Sequence, residues 1–163
     1  MGLPEWISGL KRLHELAKSG ALPPAQWDAY QSARDEFAQA MVAAQRLSLL
    51  PGQKPRHAFR VARALQIDLA LASGNVRALT MNISVGGFAI LMPTIPPRAE
   101  AVGFTLKLPG KAEAILGRCK VMDVQQKPGN SLVSFAFEPL PPADLDRLDR
   151  VVLDVALEQF AGL

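Results

Sequence analysis

Leu65-Gln66-Ile67-Asp68-Leu69-Ala70-Leu71, then Ser73-Gly74-Asn75, then Val76 to Ile83: this is the stretch on which the fold turns. Leu65, Ile67, Leu69 and Leu71 alternate with Gln66, Asp68 and Ala70. A period of two puts every second side chain on one face of a strand. Ser73-Gly74-Asn75 is a turn signal, so Val76 to Ile83 reads as a second strand. Further along, Gly86-Gly87 interrupts and Phe88 to Met92 makes a third strand. Pro93 to Pro97, with three prolines, is a loop. Val102 to Leu108 is a fourth strand, Pro109-Gly110 a turn and Ala114 to Val124 a long fifth strand. Lys127-Pro128-Gly129-Asn130 turns the chain again, and Ser131 to Phe137 is the sixth. Six short strands joined by tight turns predict a small antiparallel barrel, an arrangement that also removes free sheet edges.

Both flanks change period. Trp6, Leu10, Leu13 and Leu16 or Ala17 recur at helical spacing, and Ser19-Gly20 supplies a stop. Pro23-Pro24 opens a second helix, since a first turn tolerates proline. Tyr30, Phe37 and Ala44 are seven apart, as are Ala33, Ala40 and Leu47. That stripe suits either a helical hairpin docked on the barrel or the seam of a homodimer, and about two heptads do not separate the two. After Pro141-Pro142, Leu145, Leu148, Val152 and Val155 mark one face of a last helix, with Asp144, Arg147, Arg150 and Asp154 mostly on the other. This helix is expected to cap the barrel. The expected division is residues 1–50 as a helical extension and 51–163 as the barrel domain with its C-terminal helix.

The bulk numbers exclude several classes. The chain has 163 residues, 49% of them hydrophobic, and a mean hydropathy of +0.13, which is a globular composition. No apolar run reaches the roughly 18–20 residues of a membrane span, so membrane insertion is not expected. Met1-Gly2-Leu3-Pro4-Glu5-Trp6 shows neither a signal peptide nor the Ser/Thr that myristoylation requires at the sixth position. The single cysteine, Cys119, forms no internal disulfide, which fits a reducing cytoplasm; flanked by Arg118 and Lys120 in the fifth strand, it reads as buried packing. A net charge of +3, from 18 basic and 15 acidic residues, is too weak a bias to imply nucleic acid. The seven Phe fall mostly at core-like positions, without the interleaving of aromatic and basic residues that such binding uses. His14 and His57 lack supporting ligands for a metal. No nucleophile-elbow, Walker or dinucleotide signature is present, and Asp144, Asp146 and Asp149 read as a solvated helix face. Neither an enzyme nor a bound cofactor is expected.

Two short motifs remain. Arg56-His57-Ala58-Phe59-Arg60 holds two arginines separated by three residues, just ahead of the first strand. Asn82-Ile83-Ser84-Val85-Gly86-Gly87 reads as Asn-x-Ser-x-x-Gly at the junction of the second and third strands. Alone, the first is a basic linker and the second a tight strand connection. Together, in this order and 22 residues apart from Arg60 to Asn82, they resemble the PilZ domain family, whose members use this pair to bind cyclic di-GMP. The resemblance covers about residues 51–160, including Phe135 and Phe137 at the end of the last strand, and not the N-terminal helices.

The resemblance implies a six-stranded PilZ-type barrel and assigns Arg56 and Arg60 to guanine and phosphate contacts. It places Asn82, Ser84 and Gly87 on the barrel side of the site, with Arg63 and Gly86 as auxiliaries. The chemistry agrees. Arginine offers a planar fork of donors to a phosphate oxygen pair or to the O6/N7 edge of guanine, and it stacks on purines. Arg56 and Arg60, following Pro51-Gly52 and Pro55, are expected on a flexible arm that folds over the ligand. Asn82 and Ser84, two apart, are expected to point to the same side of an extended segment. Gly87 is expected to allow an unusual backbone angle and close ligand approach. Pro55 stands where an arginine in the family would add a contact bearing on nucleotide number. The resemblance further implies a receptor acting through an unidentified effector protein on motility, adhesion or exopolysaccharide output. Members lacking the motif serve instead as nucleotide-free adaptors in type IV pilus assembly.

Overall fold

β1 (Gln66–Leu71) buries Ile67 and Leu69 and leaves Asp68 partly exposed, as its alternation requires. In the computed structural model, which describes residues 2–47, 58–94, 96–97, 101–110 and 112–159, two compact units are distinguished. One is Arg60–Val155; the other joins the N-terminal helices and Phe59 with the chain from Ala156 onward.

In the first unit β1 is followed by β2 (Gly74–Leu79), β3 (Asn82–Ile83), β4 (Gly87–Met92), β5 (Ala101–Leu106), β6 (Ile115–Lys127) and β7 (Asn130–Phe137). Every pairing is antiparallel, in the order β2-β1-β5-β6-β7-β4-β3. The expected six-stranded closed barrel is therefore corrected: among the described residues the sheet has seven strands and forms a half-barrel. The physical reason lies in the stretch read as one strand, Val76 to Ile83. Leu79 pairs with Gln66 of β1, and the Thr80 amide still donates to the Leu65 carbonyl at 3.0 Å. One residue later the Met81 amide donates to Ala89 of β4 at 2.7 Å. The chain changes partners at Thr80-Met81, so β2 and β3 stand at opposite ends of the ladder and are joined by a covalent corner.

The core of this unit is aromatic and aliphatic. Phe88 of β4 stacks on Phe135 of β7, with centroids 5.0 Å apart. Phe137 closes on Phe88 at 5.5 Å and on Phe104 of β5 at 5.0 Å. Ile67, Ile83, Ile90, Val102, Leu106, Ile115 and Val133 fill the remainder, all at or below 1% exposure. Each such side chain contributes about 1.5–3 kcal/mol. A bulge between Val121 and Asp123 bends the long β6 against β7. α3 (Pro142–Glu158) follows; Arg147 donates to the Glu113 carbonyl ahead of β6. Leu148, Val152 and Val155 are buried as expected, but Leu145 is 42% exposed, so the apolar face begins one turn later.

In the second unit α1 (Leu3–Ser19) stops at Gly20, whose φ of 76° is the left-handed cap that a Cβ would disfavour. A short 3-10 turn (Pro24–Gln26) leads into α2 (Trp27–Arg46). The helices run antiparallel. Trp6 stacks on Phe37 at 6.5 Å, and His14 Nδ1 shares a 2.8 Å hydrogen bond with the Tyr30 hydroxyl. Phe37 also meets Phe59 edge-on at 5.9 Å. The seven-residue stripe on α2 is only half used. Tyr30 and Phe37 are buried, whereas Ala40 and Ala44 are exposed and Leu47 is 90% exposed. α1 is shorter, so the C-terminal turns of α2 run past its first residue. Among the described residues no helix is long and apolar enough to cross a membrane.

Candidate functional site

Two backbone segments converge where the chain enters the sheet. Val61 and Ile83 exchange backbone hydrogen bonds of 2.9 Å in both directions. Thr80 adds a staple: its hydroxyl donates to the Arg63 carbonyl at 2.5 Å and accepts from the Leu65 amide at 2.9 Å. Residues 61–65 are thus laced to residues 80–83. Arg60, the last residue before this lacing, donates from Nη1 to the Asn82 side-chain oxygen at 2.8 Å. The two motifs, 22 residues apart in sequence, meet through these side chains. The expectation of Arg60 on a flexible arm is corrected, because its C-terminal neighbour is held on both sides by β3. Arg56, with Lys54, Pro55 and His57, lies outside the described residues.

The Asn-x-Ser-x-x-Gly segment is built differently from the extended run expected for it. β3 ends at Ile83, and Ser84 opens a tight turn in which its amide donates to the Gly87 carbonyl at 2.8 Å. The Ser84 hydroxyl is 4% exposed and turned inward. It accepts from the Gly86 amide at 3.0 Å and the Gly87 amide at 3.2 Å. A serine hydroxyl saturating its own turn is a common alternative to a ladder bond. Asn82 and Ser84 therefore do not share one strand face. Gly86 is exposed, and its carbonyl accepts from the Phe137 amide at 2.9 Å, which ties the turn to β7. Gly87 does not take a left-handed angle. It is required for another reason: a Cβ there would collide with the Phe135 carbonyl across the β4–β7 pair. The close approach is strand to strand. Arg63 is exposed, and its carbonyl holds the Thr80 hydroxyl.

The register shows what the motif sits beside. Asn82 lies opposite Ala89, which lies opposite Ser134 and in turn Asp123. One row away, Gly87 lies opposite Ala136, which lies opposite Lys120. Residues opposite one another, and those two apart on a strand, share a face. The result is a short shelf of two half-buried small side chains, Ser134 and Ala136, beside the fully buried Ala89, between Asn82 with Arg60 and the ammonium of Lys120. Lys120 is 55% exposed and 3.7 Å from Glu138. Thr80, Ser134 and Lys120 were not singled out from the sequence. Only their register gives them a place, and no local pattern marks it. Among the described residues no group of His, Cys, Asp or Glu is arranged to hold a metal ion.

Comparison with known proteins agrees with this architecture. A sequence profile of the PilZ domain matches residues 54–154, and the chain belongs to the PilZ domain family. Similar solved structures include the inhibitor of motility MotI/DgrA of Bacillus subtilis, with 18% identity and a TM-score of 0.58 over 66% of this chain and 53% of that one. The PilZ domain of YcgR from Escherichia coli, solved with c-di-GMP, has 16% identity and a TM-score of 0.52 over 65% of this chain and 95% of that one. The MrkH–c-di-GMP complex of K. pneumonia has 19% identity and a TM-score of 0.56 over 66% of this chain and 55% of that one. At these identities the likeness is one of fold. The chain matches only about half the length of MotI/DgrA and MrkH. No curated protein matches it by sequence.

Proposed function

We propose that this chain is a cyclic di-GMP receptor, not an enzyme, and that its site is the corner where Arg60 meets Asn82. The observation that carries the reading is the 2.8 Å contact between those side chains. It brings a guanidinium from one motif and an amide from the other to one point of the sheet surface. Asn82 sets the plane of the guanidinium, so the fork faces a phosphate or a guanine edge ready oriented. Ser84 and Gly87 act by shaping the turn and the close strand pair that position Asn82, with Gly86 as the turn's link to β7. Arg56 supplies the second arginine of the family's pair, and Arg63 is a nearby auxiliary charge. The small, half-buried side chains of Ser134 and Ala136 let a flat base lie against the sheet, and Lys120 adds positive charge at the far side.

The output follows from the corner itself. Leu79 is 60% exposed and Met81 50% exposed, on either side of Thr80. A ligand held by the guanidinium that Asn82 orients bears directly on this corner, and we assign it as the surface read by an effector protein. The receptor would act in the cytoplasm, on motility, adhesion or exopolysaccharide output.

Titration calorimetry with cyclic di-GMP, and GTP as control, tests the reading. Micromolar or tighter binding of cyclic di-GMP alone is expected, and the stoichiometry gives the number of nucleotides held. Arg60→Ala should weaken binding by about 1.5–3 kcal/mol, roughly 10- to 100-fold, the scale of a hydrogen bond to a charged group. Equal affinity in the two proteins would defeat the site assignment. No binding by folded wild type would turn the reading to a nucleotide-free adaptor.

A further inference from the structure

One surface feature is independent of the nucleotide site. A groove of about 540 Å³ runs along α1, lined by Glu5, Trp6, Ser8, Gly9, Arg12 and Leu13, with Ala33 of α2 on its far wall. At its centre is Gly9. Glycine is, after proline, the residue least suited to a helix interior. Nothing in the chain asks for it here: a Cβ at Gly9 would meet no atom within 4 Å. Its position relative to the other lining residues is informative. Glu5 and Arg12 are seven residues apart, as are Trp6 and Leu13, and the midpoints of both pairs fall within half a residue of Gly9. At about 100° per residue, Glu5 and Arg12 lie about 40–60° to one side of Gly9, and Trp6 and Leu13 the same angle to the other. Glu5 and Arg12 are exposed, and among the described residues neither takes part in an ion pair.

We infer that this flank of α1 docks on the same flank of a second copy, the two helices antiparallel and crossing at Gly9. A two-fold axis through that point carries the charged side of one helix to the charged side of the other, and the apolar side to the apolar side. Glu5 of each copy then faces Arg12 of the other, and Trp6 faces Leu13. Gly9 and Ser8 lie at the crossing, where small side chains let two helix backbones come close. The charge order matters. A parallel pairing would set the Glu5/Arg12 side of one helix against the Trp6/Leu13 side of the other, leaving the charges against apolar side chains, so the pattern selects the antiparallel one. The seam uses α1 and differs from the seven-residue stripe of α2.

Sedimentation velocity on the full chain tests this. Wild type is expected to dimerise. Glu5→Arg and Arg12→Glu should each raise the dissociation constant about tenfold or more, because each reversal turns two symmetric attractions into repulsions. The double variant should return close to wild type. Gly9→Leu should be monomeric while keeping its helical circular dichroism, since leucine favours a helix more than glycine does. A wild type that stays monomeric at its highest soluble concentration would overturn the proposal and leave the groove to a different partner. So would a dimer indifferent to the reversals, or reversals that the double variant does not rescue.

Discussion

Single residues at the corner divide between those that face outward and those that build it. Arg60 and Asn82 belong to the first kind. Ser84 belongs to the second, with its hydroxyl engaged by two amides of its own turn. Gly87 does too, because the Phe135 carbonyl leaves no room for a Cβ. Cys119 has no part in the site, and its state is set by burial. The thiol is 0% exposed and 3.5 Å from the Val102 carbonyl. Burial, and after it the charge of Glu138, pushes its pKa from 9.0 up to about 12. The thiolate is the disfavoured form, so the unfolded chain releases this proton first. The stability gained by keeping the thiol neutral is complete below pH 9 and is lost as pH rises from 9 to about 12. The melting temperature of wild type should therefore fall more steeply above pH 9 than that of Cys119→Ala. At pH 8 a thiol reagent should label the chain only after denaturation. Rapid labelling of the native chain would contradict the assignment.

Among the elements, the decisive one is the interrupted run from β2 to β3. Thr80 replaces a ladder contact with its side chain, serving the Leu65 amide and the Arg63 carbonyl together. Thr80→Val keeps the shape and removes both bonds. It should cost about 1–3 kcal/mol, the penalty for leaving backbone groups unpaired. Chemical denaturation reads that cost, and a variant as stable as wild type would show that the staple is dispensable. Because the staple also fixes the segment after Arg60, the same substitution should weaken cyclic di-GMP binding even though Thr80 touches no proposed contact atom. On the helices, local period again says less than packing. Tyr30 and Phe37 have α1 and Phe59 to meet, whereas Ala44 and Leu47 extend past the start of α1 and stay in solvent.

At the scale of the whole molecule, a receptor is a protein whose native state is favoured by its ligand. At a ligand concentration a hundredfold above the dissociation constant, linkage adds about 2.7 kcal/mol to the native state. Cyclic di-GMP should thus raise the melting temperature of wild type by several degrees, and GTP should not. Arg60→Ala at the same ligand concentration should show a clearly smaller shift. An equal shift in both proteins would place the ligand elsewhere. Every strand but the division of β2 from β3, the turns at Gly74, Gly110 and Gly129, the stop at Gly20 and the two motifs were legible in the sequence alone. Each rests on a local rule: period two for strands, period 3.6 for helices, and glycine where φ is positive. The tertiary structure decided what depends on distant partners. It broke Val76–Ile83 in two, because residues up to Thr80 pair toward β1 while Met81 pairs with β4, and so made seven strands in a half-barrel instead of six in a closed one. It turned Ser84 into its own turn and set Gly87 against Phe135. It also brought Arg60 to Asn82, since a contact between residues 22 positions apart exists only once the intervening hairpin has folded.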